Sequence, residues 1–77
     1  MKNNLKNIRE KRGITQIQVA QKVQITERGY QYIEAGKRIP NVYLAIKIAK
    51  ALNSTVEELF PLSAAEVQFD RTTEQEK

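Results

Sequence analysis

The sequence predicts a small all-α domain of five helices. Apolar residues recur at three- and four-residue spacing along most of the first 60 residues, which is the period of an amphipathic helix. Residues that can cap a helix N-terminus stand before four of these stretches, at Thr15, Thr26, Asn41 and Thr55. With 77 residues, 40% of them apolar and 29% charged, the chain suits one soluble globular domain with a small core.

Helix 1 is predicted over residues 3–12. Leu5 and Ile8 share one face, because residues three and four apart on a helix are neighbours. Arg12 lies near the helix C-terminus, where a cation complements the helix dipole. Gly13 follows and suits the left-handed conformation that commonly ends a helix.

Residues 15–23 and 26–35 are predicted to form two short helices joined by a tight turn. Thr15 and Gln18 form a capping box at the start of helix 2, and Thr26 caps helix 3. Helices of this length are unstable alone in water, so they must pack on each other and on the rest of the chain. The apolar residues available for that packing are Val19, Ala20, Val23, Tyr30 and Ile33.

Two glycines mark special positions in helix 3. Gly36 is predicted to end it at the C′ position. Gly29 lies inside the helix, where glycine costs about 1 kcal/mol relative to alanine. It either permits close approach to helix 2 or to a phosphate, or is a tolerated weakness at the surface. We favour close approach, because a glycine within a helical pattern commonly has a packing reason.

Helix 4 is predicted over residues 41–52, since Pro40 prevents helix 3 from continuing. Its apolar stripe is predicted to contain Val42, Ala45, Ile46, Ile48, Ala49 and Leu52. Asn53 is expected to end it in a left-handed conformation. Thr55 and Glu58 form a second capping box, which opens a short helix with inward residues Val56, Leu59 and Phe60.

The stretch from Thr15 to Arg38 resembles the helix-turn-helix of the phage repressor and Cro-like (XRE-type) family of bacterial regulators. Counting from Gln16, the small residue of that family falls at Ala20, where two helix backbones approach closely. Its apolar positions fall at Val19, Val23, Ile25, Tyr30 and Ile33. At Gln24 the family usually has glycine, because that turn position often needs a positive φ. The resemblance covers residues 3–60 and implies a five-helix repressor-like DNA-binding domain.

Arg9 is predicted to form a salt bridge with Glu34. Arg9 lies on the inward face of helix 1, four residues after Leu5, and a charge there needs a partner. Glu34 is the candidate near the end of helix 3, and the resemblance implies the same pair. The alternative is a solvated Arg9 with no partner.

The resemblance implies that helix 3 enters the major groove of double-stranded DNA with its N-terminal residues toward the base edges. The exposed residues expected to read bases are Thr26, Glu27, Arg28, Gln31 and Tyr32. Arg28 can grip guanine O6 and N7 in a fork. Glu27 can accept a hydrogen bond from a cytosine amino group, orient Arg28, or favour the helix N-terminus as an anion. Gln31 could reach a phosphate and Tyr32 a thymine methyl, or each is plain solvated surface.

Contacts to the DNA backbone are expected around the rim of helix 3. The resemblance places Gln16 at the start of helix 2, where family members touch the backbone. Lys37 and Arg38 follow helix 3, and Asn41 opens helix 4, where free N–H groups can bind an anion. Tyr43 adds a hydroxyl donor. The alternative for Lys37 and Arg38 is charge complementarity with the C-terminus of helix 3.

The charges are divided unevenly along the chain. Residues 1–60 hold 11 Lys or Arg and 5 acids, whereas residues 61–77 hold 2 and 4. A basic body suits an anionic partner, although solubility alone would also explain it. We assign residues 1–62 to the DNA-binding domain and residues 63–77 to an acidic polar tail, largely disordered or ordered in a dimer or docking contact.

The residue types present argue against catalysis, metal binding and a cofactor. The chain has no cysteine, no histidine and no glycine-rich phosphate loop. It shows neither a signal peptide nor a membrane span, so a cytoplasmic protein is expected. We predict a sequence-specific transcriptional regulator, with repression favoured, that acts as a homodimer on a palindromic operator through a dimer surface within residues 57–69. The alternative is a protein-interaction module, such as an antitoxin whose tail binds a partner protein.

Overall fold

The computed structural model describes residues 3–62, and all the regular structure within that range is helical. Its five helices are α1 (Leu5–Lys11), α2 (Gln16–Val23), α3 (Glu27–Glu34), α4 (Val42–Ala51) and α5 (Val56–Leu59). The prediction of an all-α domain with five helices is therefore confirmed. The predicted acidic tail, residues 63–77, lies outside the described residues.

Side chains cap the starts of four helices, as the sequence predicts. At α2 the Thr15 hydroxyl accepts a hydrogen bond from the Gln18 N–H, and the Gln18 side chain accepts one from the Thr15 N–H, which completes the predicted capping box. Thr26, Asn41 and Thr55 each accept a hydrogen bond from the backbone N–H three residues on. These bonds satisfy donors that a helix N-terminus otherwise leaves unpaired. The capping box predicted at Thr55 is only half formed, because Glu58 Oε1 accepts from Ser54 Oγ at 2.7 Å and not from the Thr55 N–H.

The same left-handed turn ends each of the first four helices. A residue with positive φ follows the helix, and the next N–H donates to the carbonyl five residues before it. In α3, for example, the Lys37 N–H donates to the Tyr32 carbonyl at 2.9 Å. The left-handed residues are Gly13, Gln24, Gly36 and Asn53, with φ of 68°, 64°, 79° and 53°. The predictions for Gly13, Gly36 and Asn53 are thus confirmed, and Gln24 adopts the conformation that favours glycine.

We predict that Gln24→Gly stabilises the domain. A side chain at φ 64° is strained, and glycine removes that strain, so the gain should be about 1 kcal/mol after the greater freedom of glycine in the unfolded chain is discounted. Thermal unfolding followed by circular dichroism should show a midpoint higher by about 5 °C. The matched control is Gln21→Gly, an exposed position inside α2, which should instead lower stability by about 1 kcal/mol. A lower midpoint for Gln24→Gly would contradict the prediction.

The core lies where the inner faces of the helices meet. α2 packs on α3 and on α4, and α4 packs on α5. Eight large side chains are buried to 2% exposure or less: Leu5, Val19, Val23, Tyr30, Ile33, Ile48, Leu52 and Leu59. Burying such side chains is the main stabilising contribution in a domain of this size. No helix within residues 3–62 has the length and apolar character needed to cross a membrane.

Polar side chains tie α1 to the C-terminal helices. The Asn4 N–H donates to the Leu59 carbonyl at 2.9 Å, and the Asn4 side chain donates to the Glu58 carbonyl. Arg12 donates through Nε to the Leu52 carbonyl at 2.8 Å and through Nη2 to the Asn53 carbonyl at 3.0 Å. The Arg12 guanidinium therefore satisfies carbonyl groups at the C-terminus of α4, and it also lies near the C-terminus of its own helix.

Three residues predicted to face inward are exposed. Val42, Ile46 and Val56 are 76%, 42% and 37% exposed. α2 and α5 pack on α4 but leave Val42 and Ile46 uncovered, because the apolar stripe of α4 is wider than the surface that those two helices cover. Val56 lies at the start of α5. Together with neighbouring residues, two of these side chains border an open apolar groove, here called the α4–α5 groove, lined by Ile39, Pro40, Val42, Ala45, Val56, Phe60 and Leu62.

Candidate nucleic-acid interface

The five residues predicted to read bases all lie at exposed positions of α3 or its cap. Tyr30 and Ile33 lie on the opposite face and are buried to 0% and 1% exposure. Their burial fixes the helix on the core. The helical period places the residues predicted to read bases on the opposite, outward side. The outward face offers a guanidinium, a carboxylate, an amide, a phenol and the capping hydroxyl: Arg28, Glu27, Gln31, Tyr32 and Thr26.

Gly29 allows a close approach, but its near neighbours within residues 3–62 do not come from helix 2, and the predicted approach to a phosphate stays a prediction. It is buried, and a Cβ added there would lie 3.1 Å from Thr26 Oγ1 and 3.6 Å from Arg38 Nη1. The first distance is tight because the Thr26 hydroxyl accepts the Gly29 N–H at 3.0 Å. The glycine therefore leaves room for the cap of its own helix and for the Arg38 guanidinium, and not for helix 2.

The predicted Arg9–Glu34 ion pair is present beneath this face. Arg9 Nε donates to Glu34 Oε2 at 2.8 Å, and Arg9 Nη2 donates to Glu34 Oε1 at 3.0 Å. The third donor, Arg9 Nη1, donates to the Ile14 carbonyl at 2.9 Å. The side chains are only 11% and 7% exposed, so the fork geometry is held in a nearly dry environment.

The surroundings shift the pKa values of this pair and of the adjacent tyrosine. Burial raises the pKa of the Glu34 carboxyl, but the hydrogen bonds it accepts, above all from Arg9, bring that pKa below its ordinary value. The hydrogen bond to Glu34 raises the pKa of Arg9. Burial, followed by the charge of Glu34, raises the pKa of Tyr30. At neutral pH the ion pair is therefore charged and the tyrosine neutral.

Glu34 also holds the start of α2 through Gln16. Gln16 Nε2 donates to Glu34 Oε1 at 2.9 Å, and Gln16 Oε1 accepts from Gln31 Nε2 at 3.3 Å. Gln31 Nε2 lies 3.5 Å from Glu27 Oε2, at the long end of the hydrogen-bond range. A chain of polar contacts thus runs from Arg9 to the exposed face of α3. Gln16 and Glu34 are 18 residues apart, so no local sequence pattern indicates their contact.

The other residues predicted to contact the DNA backbone lie just after α3 or at the start of α4. Lys37 and Arg38 are exposed, and both of their N–H groups donate to the Tyr32 carbonyl. Asn41 uses its side chain as the cap of α4. Tyr43 is 72% exposed, and Lys47 Nζ lies 5.4 Å from the centre of its ring. None of the hydrogen bonds that join Gln16, Gln31 and Glu27 reaches Asn41 or Tyr43.

The described residues hold no obvious metal site. Residues 3–62 contain no group of three or more acidic, cysteine or histidine side chains placed to hold a metal ion. What the arrangement offers is an outward helix face with both donors and acceptors, framed by the cations Lys37 and Arg38. Such a surface suits the edges of base pairs and the phosphates beside them.

Comparison with known proteins agrees with this geometry. A family model described as helix-turn-helix matches residues 5–59. An uncharacterized HTH-type transcriptional regulator of Archaeoglobus fulgidus is 37% identical over 60 residues, covering 78% of this chain and 86% of the relative. The Bacillus subtilis regulator YgzD, named in the same way, is 35% identical over 60 residues that cover 78% and 91%. A regulator of Methanocaldococcus jannaschii with the same description is 38% identical over 60 residues, which cover 78% of this chain and 91% of the relative.

These matches span the five helices and include the α2–turn–α3 unit that carries the outward face. The resemblance inferred from the spacing of apolar residues is thereby confirmed. This chain belongs to the helix-turn-helix family of the phage repressor and Cro-like type.

Proposed function

We propose that this protein, a DNA-binding transcriptional regulator, recognises one duplex sequence by placing α3 in the major groove. The observation that carries the proposal is the α3 face, which leaves Arg28 and Gln31 exposed while Tyr30 and Ile33 anchor the helix. Membership of the helix-turn-helix family and relatives named as transcriptional regulators support it.

Base recognition is assigned to the exposed residues of α3. Arg28 grips guanine O6 and N7, and Tyr32 packs against a thymine methyl group. The Thr26 hydroxyl accepts the Gly29 N–H, while its own proton remains available to an oxygen of the DNA. Glu27 contributes acceptor oxygens beside Gln31.

Backbone contacts are assigned to the residues around α3. Gln16 Nε2 carries two hydrogens and gives one to Glu34, so the second can be donated to a phosphate. Lys37 and Arg38 supply positive charge just after the helix. The start of α4 adds its backbone N–H groups at Asn41 and the Tyr43 hydroxyl. These contacts position the protein without reading sequence.

We predict that Lys37→Ala weakens binding to all duplexes alike. A residue that contacts phosphate contributes about one unit to the slope of log affinity against log salt, so the variant should lose about one unit of slope. Fluorescence anisotropy with a labelled duplex between low and moderate salt measures that slope. The matched control is Lys50→Ala, which removes an exposed lysine near the end of α4 and should keep the parent slope. Equal slopes for Lys37→Ala and parent would exclude the phosphate contact.

A second copy of the chain is proposed to cover the α4–α5 groove, which shares Phe60 and Leu62 with the dimer surface predicted within residues 57–69. Val42 and Leu62 are 76% and 59% exposed there, and covering such a patch on a second copy would remove apolar surface from water. A two-fold dimer places two recognition helices one helical turn of DNA apart, about 34 Å, which suits a palindromic operator. We favour repression, because a regulator can block a promoter by binding DNA alone. Binding DNA in this way requires no cofactor. A cytoplasmic location follows from the need to reach DNA.

Selection of duplexes from a random pool tests the proposal. The expected result is one enriched sequence made of two inverted half-sites whose centres lie about 34 Å apart. Enrichment of a single half-site would keep α3 as the reading helix but exclude the two-fold dimer. Failure to enrich any sequence, even at low salt, would overturn the proposed function.

A further inference from the structure

We infer that Gln31 presents its carbonyl oxygen to the DNA, so that α3 selects an exocyclic amino group, adenine N6 or cytosine N4, at the base it faces. The inference rests on the proposed function and adds the chemical class of one recognised base. It follows from the direction of the hydrogen bonds that connect Gln31 to the protein interior.

The inner end of the chain of contacts is a carboxylate that can only accept hydrogen bonds. Two arms of Arg9 hold Glu34 at 2.8 and 3.0 Å in a nearly dry position. The amide group of Gln16 must therefore turn its NH2 toward Glu34, at 2.9 Å, and its oxygen away from it. That oxygen faces Gln31 Nε2 at 3.3 Å.

The outer end of the chain imposes the same direction. Gln31 Nε2 also lies 3.5 Å from Glu27 Oε2, which is again an acceptor. Rotating the Gln31 amide by half a turn would set its oxygen against the oxygens of Gln16 and Glu27. Both neighbours therefore hold the NH2 of Gln31 toward the protein.

A glutamine free to rotate can offer either a donor or an acceptor, and usually binds adenine with both. In this structure Gln31 Nε2 already donates to Gln16 and Glu27. No donor within residues 3–62 bonds Gln31 Oε1, and the side chain is exposed. In the major groove only adenine N6 and cytosine N4 donate, while guanine and thymine present oxygen acceptors. The oxygen of Gln31, with the carboxylate of Glu27 beside it, therefore favours an amino group and repels guanine or thymine.

The test uses the full chain and duplexes that lack one amino group. Selection from a random pool with the parent and with Gln31→Met identifies the base whose preference depends on Gln31. In that position adenine is replaced by 2-aminopurine, or cytosine by 2-pyrimidinone, either of which removes the major-groove amino group. The parent should lose affinity about tenfold, in the range of one good base contact, and Gln31→Met should lose less than twofold. Gln21→Met, an exposed glutamine on α2, is the matched control and should behave as the parent.

A second variant tests whether the interior sets the direction. Gln16→Met removes one of the two acceptors that orient Gln31, so the penalty against guanine or thymine at that base should fall at least threefold. Overall affinity should fall, because Gln16 is also assigned a phosphate contact, but the preference for guanine assigned to Arg28 should not change. Guanine or thymine preferred by the parent at the base that depends on Gln31, or identical preferences for parent and Gln31→Met, would overturn the inference alone. Failure of the parent to select any duplex would overturn the proposed function as well.

Discussion

Arg28→Ala should reduce the preference for the guanine that Arg28 is proposed to contact by about 10- to 100-fold, because a forked arginine–guanine contact is among the most discriminating in the major groove. Affinity for unrelated duplexes should fall much less, since phosphate contacts supply most of the non-specific binding. The measurement is a competition gel shift with the selected duplex and with duplexes changed at each position. A single position should lose its preference, and the others should keep theirs.

Arg28→Lys separates the fork from the charge. Lysine keeps the positive charge but cannot make the planar two-bond contact in the same way, so non-specific affinity should be retained while the guanine preference drops. Arg28 is exposed, so the thermal midpoints of both variants should stay close to that of the parent. Unchanged preference at every position in Arg28→Ala would contradict the assignment of Arg28 as a base reader.

Glu34→Met should destabilise the domain by about 3 kcal/mol, the lower end of the range for removing one partner of a buried pair. The cost arises because the Arg9 guanidinium would remain nearly buried without its carboxylate, and Gln16 would lose its acceptor. Urea unfolding followed by circular dichroism measures the difference. The double variant Arg9→Met and Glu34→Met should be more stable than Glu34→Met alone, because no unpaired charge remains. Additive effects in this cycle would show that the pair is not coupled.

The same pair predicts a dependence on pH. The pKa of Glu34 lies below its ordinary value of 4.5 in the folded protein, so its stabilising effect is complete above the unfolded pKa and is lost as pH falls through the folded pKa. The difference in unfolding free energy between parent and Glu34→Gln should therefore be largest near neutral pH and shrink below pH 4.5. A difference that stays constant between pH 7 and pH 3 would contradict the prediction.

The helices and their ends could be predicted because the determinants are local. Thr15 and Gln18 act within four residues of each other, and Gly36 supplies the positive φ that its own turn requires. The outward face of α3 could be predicted for the same reason, since the burial of Tyr30 and Ile33 fixes which residues point away from the core. Arg9 and Glu34 are 25 residues apart, and they could be paired because a charge on an inward face needs a partner and the family resemblance implied this pair.

The tertiary structure decided which apolar residues are covered and how the outward face of α3 is supported. Periodicity places Val42 and Ile46 on an apolar stripe, but whether they are buried depends on how much of that stripe α2 and α5 reach. The contact between Gln16 and Glu34 likewise depends on packing α2 against the end of α3. The sequence by itself therefore determined five helices, their approximate limits and the outward face of α3, because those follow from interactions within a few residues. Only folding joined the side chains of Glu34, Gln16 and Gln31 by hydrogen bonds that run in one direction. The direction of each bond depends on whether the partner at its other end donates or accepts.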